Sequence, residues 1–252
     1  MAREINAEVY DQNVLAEGLQ VQIDNYYQPK TIAQKRRINI VVKSLDPKPN
    51  EKVLDIGCGV GTFAFAAAKK KSYGFGIDYS HESLKIAKIL AKRFKTNNSS
   101  AFVTASALNL PYKDSCFDKV VIADFIEHIT DAEKKILLKE IYRVLKPGGL
   151  GVVFTPNAIR EYWGEVYCKL KHVLFKKSVP NTDLHYGLIN RSGFESLLRQ
   201  GNFKFSFKYV DTTRPYLANI PFLNHLLALN LLWKIKKYEL QKDFNCKFSG
   251  NR

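Results

Sequence analysis

From Lys52 onward short apolar runs alternate with longer stretches of helical period, and this alternation constrains the fold more than any other feature of the chain. Strands separated by helices can pair in parallel once each helix has carried the chain back across the sheet, so the pattern predicts repeated β–α units. Val53-Leu54-Asp55-Ile56 reads as a first strand and Gly61 to Lys70 as the helix after it. Phe75-Gly76-Ile77-Asp78 ends a second strand, and Ser80 can cap a helix with Leu84, Ala87, Leu90, Ala91 and Phe94 on one face. Ala101 to Ala105 gives a third strand; Asp118 to Ala123, with Val120-Val121-Ile122, gives a fourth that reads as buried on both faces. Thr130-Asp131-Ala132-Glu133 has the capping-box pattern and opens a helix with Ile136, Leu137, Ile141, Val144 and Leu145 inward. Lys146-Pro147-Gly148-Gly149 ends it, and Gly151 to Phe154 makes a fifth strand.

Beyond Pro156 the rhythm changes. Residues 158–180 form one amphipathic period with Trp163, Val166, Tyr167, Leu170, Val173 and Leu174 on a stripe, and read as an inserted helix. Asn190 to Gly201 returns to pattern as a helix with Phe194, Leu197 and Leu198, closed by Gly201, and Phe203 to Val210 as a strand. A second helical insertion is expected over 215–237, with the last strand around Phe244 to Phe248. The expected fold is α/β, a doubly wound, mostly parallel, seven-stranded Rossmann-like sheet with helical insertions covering the substrate site. Residues 1–50 form a helical lead-in or lid, and 51–252 form one domain with insertions at about 158–180 and 215–237.

The chain has 252 residues, enough for a self-sufficient core, and a formal net charge of +15, most of it in the last third. That excess favours an anionic partner or surface over a cationic one. Cys58, Cys116, Cys168 and Cys246 stand far apart with no zinc-like spacing, the polar amino terminus lacks a signal-peptide pattern, and no apolar run is long enough to span a membrane. A cytoplasmic protein with reduced thiols is expected.

The first strand runs into Gly57-Cys58-Gly59-Val60-Gly61. A glycine-rich turn at the carboxyl end of a first strand is where open α/β sheets bind nucleotides, because the absent Cβ lets the backbone approach the ligand. A dinucleotide fingerprint would place its third glycine at Thr62, and no phosphate-cradling G-x-x-x-x-G-K-[ST] occurs, so the G-x-G-x-G spacing points away from both ligands. Asp78 closes the second strand, where a carboxylate can accept hydrogen bonds from both hydroxyls of a ribose; the bland alternative is a surface Asp beside a helix cap.

These segments, with Leu110-Pro111-Tyr112, Phe117-Asp118, Glu127-His128 and Val144-Leu145-Lys146-Pro147-Gly148-Gly149, resemble the ordered motifs of class I S-adenosylmethionine-dependent methyltransferases over roughly residues 35–205. Within that superfamily the chain is most similar to the group containing ubiquinone- and menaquinone-pathway and small-molecule methyltransferases. The resemblance implies S-adenosyl-L-methionine as cofactor, held by Asp55, Gly57, Cys58, Gly59, Gly61, Asp78, Tyr79, Ser106, Ala107 and Asp124. The 57–61 loop would approach the methionine part and Asp78 the ribose, while Asp124 to His128 would border the transferred methyl. Where the family often has an Asp after the third strand for the adenine amino group, this chain reads Ala105-Ser106-Ala107-Leu108, which leaves Ser106 or the Ala107 amide for that contact.

Methyl transfer is in-line displacement at an already activated carbon, so the protein must mainly align the reactants and remove a proton if the nucleophile is a hydroxyl. His128 is the candidate general base, with Asp124 as a second catalytic residue; a packing role for His128 is the alternative. Asp124-Phe125-Ile126-Glu127-His128 also resembles the E-x-x-E-H metal site of some O-methyltransferases, with His185 as a further ligand, although metal-free relatives share Glu-His and no required metal is expected. Arg160, Lys169, Lys171, Lys176 and Lys177 interleave with Tyr162, Trp163, Tyr167 and Phe175, and Phe222 to Trp233 is apolar nearly all round. The reading is a small-molecule or lipid-like acceptor, methylated at oxygen, and peripheral contact with an anionic membrane surface. The alternatives are an RNA methyltransferase, against which the chain lacks a [DNS]-P-P-[FY] element after the fourth strand, and a catalytically silent binding protein with this fold.

Overall fold

The computed structural model describes residues 7–23, 28–163, 166, 187–220 and 224–238. After helices α1 (Ala7–Gln22) and α2 (Ile32–Leu45) come β1 (Lys52–Ile56), α3 (Thr62–Lys69), β2 (Tyr73–Asp78), α4 (His81–Arg93) and β3 (Ser100–Thr104). Then follow β4 (Phe117–Ala123), α5 (Asp131–Val144), β5 (Leu145–Pro156), a helix α6 at 158–163, α7 (Arg191–Gln200), β6 (Phe203–Val210), α8 (Asn224–Leu227) and β7 (Asn230–Lys237). The two N-caps read from sequence are in place, with Ser80 accepting the Ser83 amide and Thr130 and Glu133 forming the reciprocal box; Asn190, which accepts the Gly193 amide, caps α7 as well.

The strands lie in the order β3-β2-β1-β4-β5-β7-β6, with β1 to β5 parallel and β7 antiparallel to both β5 and β6. Strand order reverses between β1 and β4, and a doubly wound sheet binds ligands in the crevice outside the strand carboxyl ends at such a point. Helices α2 and α3 cover one face, packing Val41, Leu45, Phe63 and Ala67 on Val53, Val121, Val152 and Phe154. Leu137, Leu138 and Ile141 of α5 and Phe194 and Leu198 of α7 cover the other, on Leu54, Ile56, Val120, Ile122 and Val153.

The seventh strand differs from expectation. It is Asn230–Lys237, inside the stretch read as a second helical insertion, and Phe244 to Phe248 lies outside the described residues. The physical reason is burial on both faces. Leu231, Trp233 and Ile235 enter one core and Leu232 the other, so a two-residue period is hidden in a continuous apolar run. Trp233 is fully buried and packs on Phe194 and Phe207, with centroids 4.8 and 5.1 Å away. The fifth strand likewise begins earlier than expected, at Leu145, and Lys146 to Gly149 is taken up where the β4–β5 register shifts.

Candidate active site

At the end of β1 the chain turns through Gly57, Gly59 and Gly61, with φ of 68°, 49° and 89°. Two of these glycines serve different ends. A Cβ on Gly57 would lie 2.4 Å from the Phe125 ring, because the loop after β4 closes directly on the loop after β1, whereas a Cβ on Gly59 would meet no atom within 4 Å. Gly59 therefore presents bare backbone to open space, as a ligand cradle requires.

Asp78 organises this loop. Its Oδ2 accepts the Gly59 amide at 2.7 Å and its Oδ1 the Ser80 amide at 2.8 Å, while the Cys58 amide donates to the Ile77 carbonyl at 2.9 Å. Burial pushes the Asp78 carboxyl up, the amides of Ser80, Gly59 and Tyr79 oppose that, and Asp11 adds to the rise. Each carboxylate oxygen has a second lone pair, so the group retains capacity for ribose hydroxyls. Tyr79 is exposed beside it. Cys58 is buried against Gly76, and burial pushes its thiol well up, which leaves it inert.

Beneath the loop, Asp55 is buried and its Oδ2 accepts the amides of Phe63 (3.1 Å) and Ala64 (3.2 Å) in the first turn of α3. Burial raises its pKa to about 7 against the pull of those two amides. Asp55 thus braces the loop from below and faces no open space. The third strand brings Ser106 and Ala107, both half-buried, to the same edge, since the Ala105 amide donates to the Asp78 carbonyl at 3.1 Å and Ser106 Oγ accepts the Leu108 amide at 3.2 Å. Leu110 to Tyr112 is anchored from α5: Glu140 accepts the Leu110 amide, and Arg143 donates to the carbonyls of Leu110 and Tyr112.

Across the switch point, Asp124 leaves β4 with φ 53°, a left-handed conformation uncommon for a residue other than glycine. Its Oδ2 lies 2.5 Å from Arg37 Nε of α2, and that guanidinium stacks over Phe63 at 5.4 Å. Glu127 is buried and accepts the Thr155 hydroxyl at 2.9 Å; burial, with the Asp124 charge adding to it, pushes its carboxyl up. His128 is half-buried in the 3-10 turn Ile126–His128, where its amide donates to the Phe125 carbonyl. The two carboxylates of the metal-like segment thus point to different partners. Among the described residues no group of three His, Cys, Asp or Glu side chains is placed to hold a metal. His185, Phe222 and Lys169, Lys171, Lys176 and Lys177 lie outside the described residues.

Sequence reasoning missed three contributors. Arg37 lies in the helical lead-in, where sequence reasoning singles out no residue; it meets Asp124, and its neighbour Arg36 donates to the carbonyls of Thr212 and Thr213. Asp11 of α1 accepts the Ser80 hydroxyl at 2.5 Å and the Glu82 amide at 3.1 Å, so the lead-in clasps the start of α4 beside Asp78. Thr155, at the end of β5, holds Glu127. No local sequence signal marks any of them, because each partner lies at least 28 residues away.

A family model described as a methyltransferase domain matches residues 47–195. The chain is similar to norajmaline N-methyltransferase of Rauvolfia serpentina, 41% identical over 114 residues that make up 44% of this chain and 38% of the relative. It is similar to demethylmenaquinone methyltransferase of Staphylococcus carnosus, 29% identical over 161 residues, 61% of this chain and 65% of the relative. The chain thus spans less than two thirds of the length of these relatives. Among solved structures the fold is shared with the [4+2]-cyclase SpnF, at TM-score 0.66 and 18% identity over 93% of this chain and 97% of that one.

Proposed function

The chain belongs to the methyltransferase-domain family, and from that membership we propose that it is an S-adenosyl-L-methionine-dependent methyltransferase acting on a hydrophobic or amphiphilic small molecule. The observation that carries this reading is the unit formed by Gly59 and Asp78 at the switch point of the sheet. The residues fit the cofactor: the cradle at Gly59 is one that a Cβ would fill, and Asp78 keeps lone pairs beside it. Gly57 to Gly61 would take the methionine end, Asp78 the ribose, and Ser106 and the Ala107 amide the adenine, with Tyr79 alongside. When bound, the cofactor supplies a sulfonium methyl that is already electrophilic.

What remains for the protein is alignment and a proton. Asp124 and His128, on the loop that Phe125 closes against Gly57, border the acceptor side, and His128 takes the proton of an acceptor hydroxyl. The acceptor class we favour is a quinone precursor, isoprenoid or lipid, methylated at oxygen. Relatives named for demethylmenaquinone and norajmaline support a small-molecule acceptor. The lead-in serves as the lid of the cleft, a reading supported by its contacts with the loops after β4 and β2, where Arg37 meets Asp124 and Asp11 accepts the Ser80 hydroxyl.

Methyl transfer from labelled S-adenosyl-L-methionine into lipid, small-molecule, RNA and protein fractions tests the proposal. Label in the lipid or small-molecule fraction is expected. Label confined to RNA would replace the acceptor class, and no label in any fraction, despite cofactor binding, would leave a silent binding protein.

A further inference from the structure

Seven large apolar or aromatic side chains among the described residues are more than half exposed, and six of them stand on one edge of the molecule. They are Leu15, Ile32, Tyr79, Tyr162, Trp163 and Tyr216; only Ile89, on α4, lies elsewhere. Connectivity places them. Tyr79 follows the end of β2, and Tyr162 and Trp163 belong to α6, which starts two residues after β5 ends. Tyr216 follows β6, whose last residue Val210 pairs with Asn230, itself paired with Pro156 at the end of β5. Ile32 lies one turn before Arg36 and Arg37, which bond to Thr213 and Asp124 on that edge, and Leu15 lies one turn after Asp11, bonded at Ser80. The edge is the one at which the parallel strands end, where the cofactor cleft opens.

A protein that met only water there would have no reason to gather its most exposed apolar groups round one opening. Four of the six are Tyr or Trp, whose amphipathic rings suit the boundary between headgroups and acyl chains. The same edge carries basic side chains. Arg160 of α6 and exposed Arg214 and Lys208 stand near the aromatic residues in sequence, with Glu161 among them, and an open depression of about 570 Å³ is lined by Lys208, by Arg191, which pairs with Glu195, and by Asn219, Asn224 and His225 with Phe207 and Tyr209. Exposed apolar side chains interspersed with Arg160, Lys208 and Arg214 complement an anionic lipid surface. No described helix is long and apolar enough to cross a membrane, so the contact is peripheral.

We propose that this edge docks on an anionic bilayer, with Ile32, Tyr162, Trp163 and Tyr216 entering the interface and the cleft mouth turned toward the membrane. The inference rests on the reading of this edge as the catalytic one, and it explains how a greasy acceptor would reach the site without crossing water.

Vesicle flotation tests it, using phosphatidylglycerol mixed with phosphatidylcholine against phosphatidylcholine alone. The full chain is expected to float with the anionic vesicles only, and the double variant Tyr162→Ser/Trp163→Ser to lose about tenfold or more in partition. Brominated acyl chains give a second readout, since Trp163 is exposed and Trp233 fully buried: quenching should vanish in Trp163→Phe. Absence of flotation, flotation undiminished in the double variant, or self-association that this variant abolishes would each overturn the proposal. Calorimetric binding of S-adenosylhomocysteine, expected unchanged in these variants, separates its failure from that of the cofactor reading.

Discussion

Asp78, the last residue of β2, accepts the amide of Gly59 at 2.7 Å, which ties the glycine loop after β1 to the carboxylate that ends β2. Loop and carboxylate stand 19 residues apart in the sequence. On the proposed reading of the site, a change at Asp78 removes the ribose contact and also releases the loop.

Asp78→Ala should therefore weaken S-adenosylhomocysteine binding by about 1.5–3 kcal/mol, the loss expected for a charged hydrogen-bond acceptor. Asp78→Asn, which still accepts the Gly59 amide, should lose less. Titration calorimetry measures both, and affinity unchanged in the Ala variant would take Asp78 out of the cofactor site.

The glycines separate fold from ligand. Gly57→Ala drives a Cβ into Phe125 and should destabilise the protein by about 2–4 kcal/mol. Gly59→Ala meets open space, so its stability cost should be only about 1 kcal/mol from the left-handed backbone, while cofactor affinity falls tenfold or more. Urea melts read beside calorimetry would contradict this assignment if the two variants ranked in the reverse order for stability.

Arg37 lies 2.5 Å from Asp124, on the proposed acceptor side. Arg37→Met and Asp124→Asn should each lower kcat, with cofactor affinity nearly unchanged, and the double variant should be little worse than either alone, because contacting residues couple. His128→Ala should lower kcat by about 10²-fold as loss of a general base. Normal turnover in that variant would leave His128 structural.

Buried carboxyls set the pH dependence of stability. Burial raises Asp55 to about 7 and also raises Glu127, so between their unfolded values near 4 and these higher folded ones the native state binds more protons than the unfolded chain. Stability is full below about pH 4 as far as these groups are concerned and falls as pH rises toward 7. Asp55→Asn, which can still accept the α3 amides, should flatten that slope in urea melts run across the window. A slope of the same size in the variant would show that Asp55 does not carry it.

Much of this molecule was legible before folding because its signals are local. The alternation after Lys52, the glycine spacing, Asp78 at a strand end, and the caps Ser80 and Thr130 depend on residues within a few positions of one another, and each takes its expected place. Where a run is buried on both faces the period disappears, which is why Asn230–Lys237 read as a helix although it is the strand that joins β5 to β6.

The sequence by itself determined the parallel β–α units and the glycine turn after the first strand, because backbone propensity and hydrophobic period act at short range. Only the tertiary structure decided which charges meet. Arg37 reaches Asp124 across 87 positions and Asp11 reaches Ser80 across 69, while Thr155 donates to Glu127 across 28. Such pairings depend on where the sheet places strand ends that are remote in the chain. Electrostatic and hydrogen-bond energies follow distance and burial, and neither exists until the fold has closed.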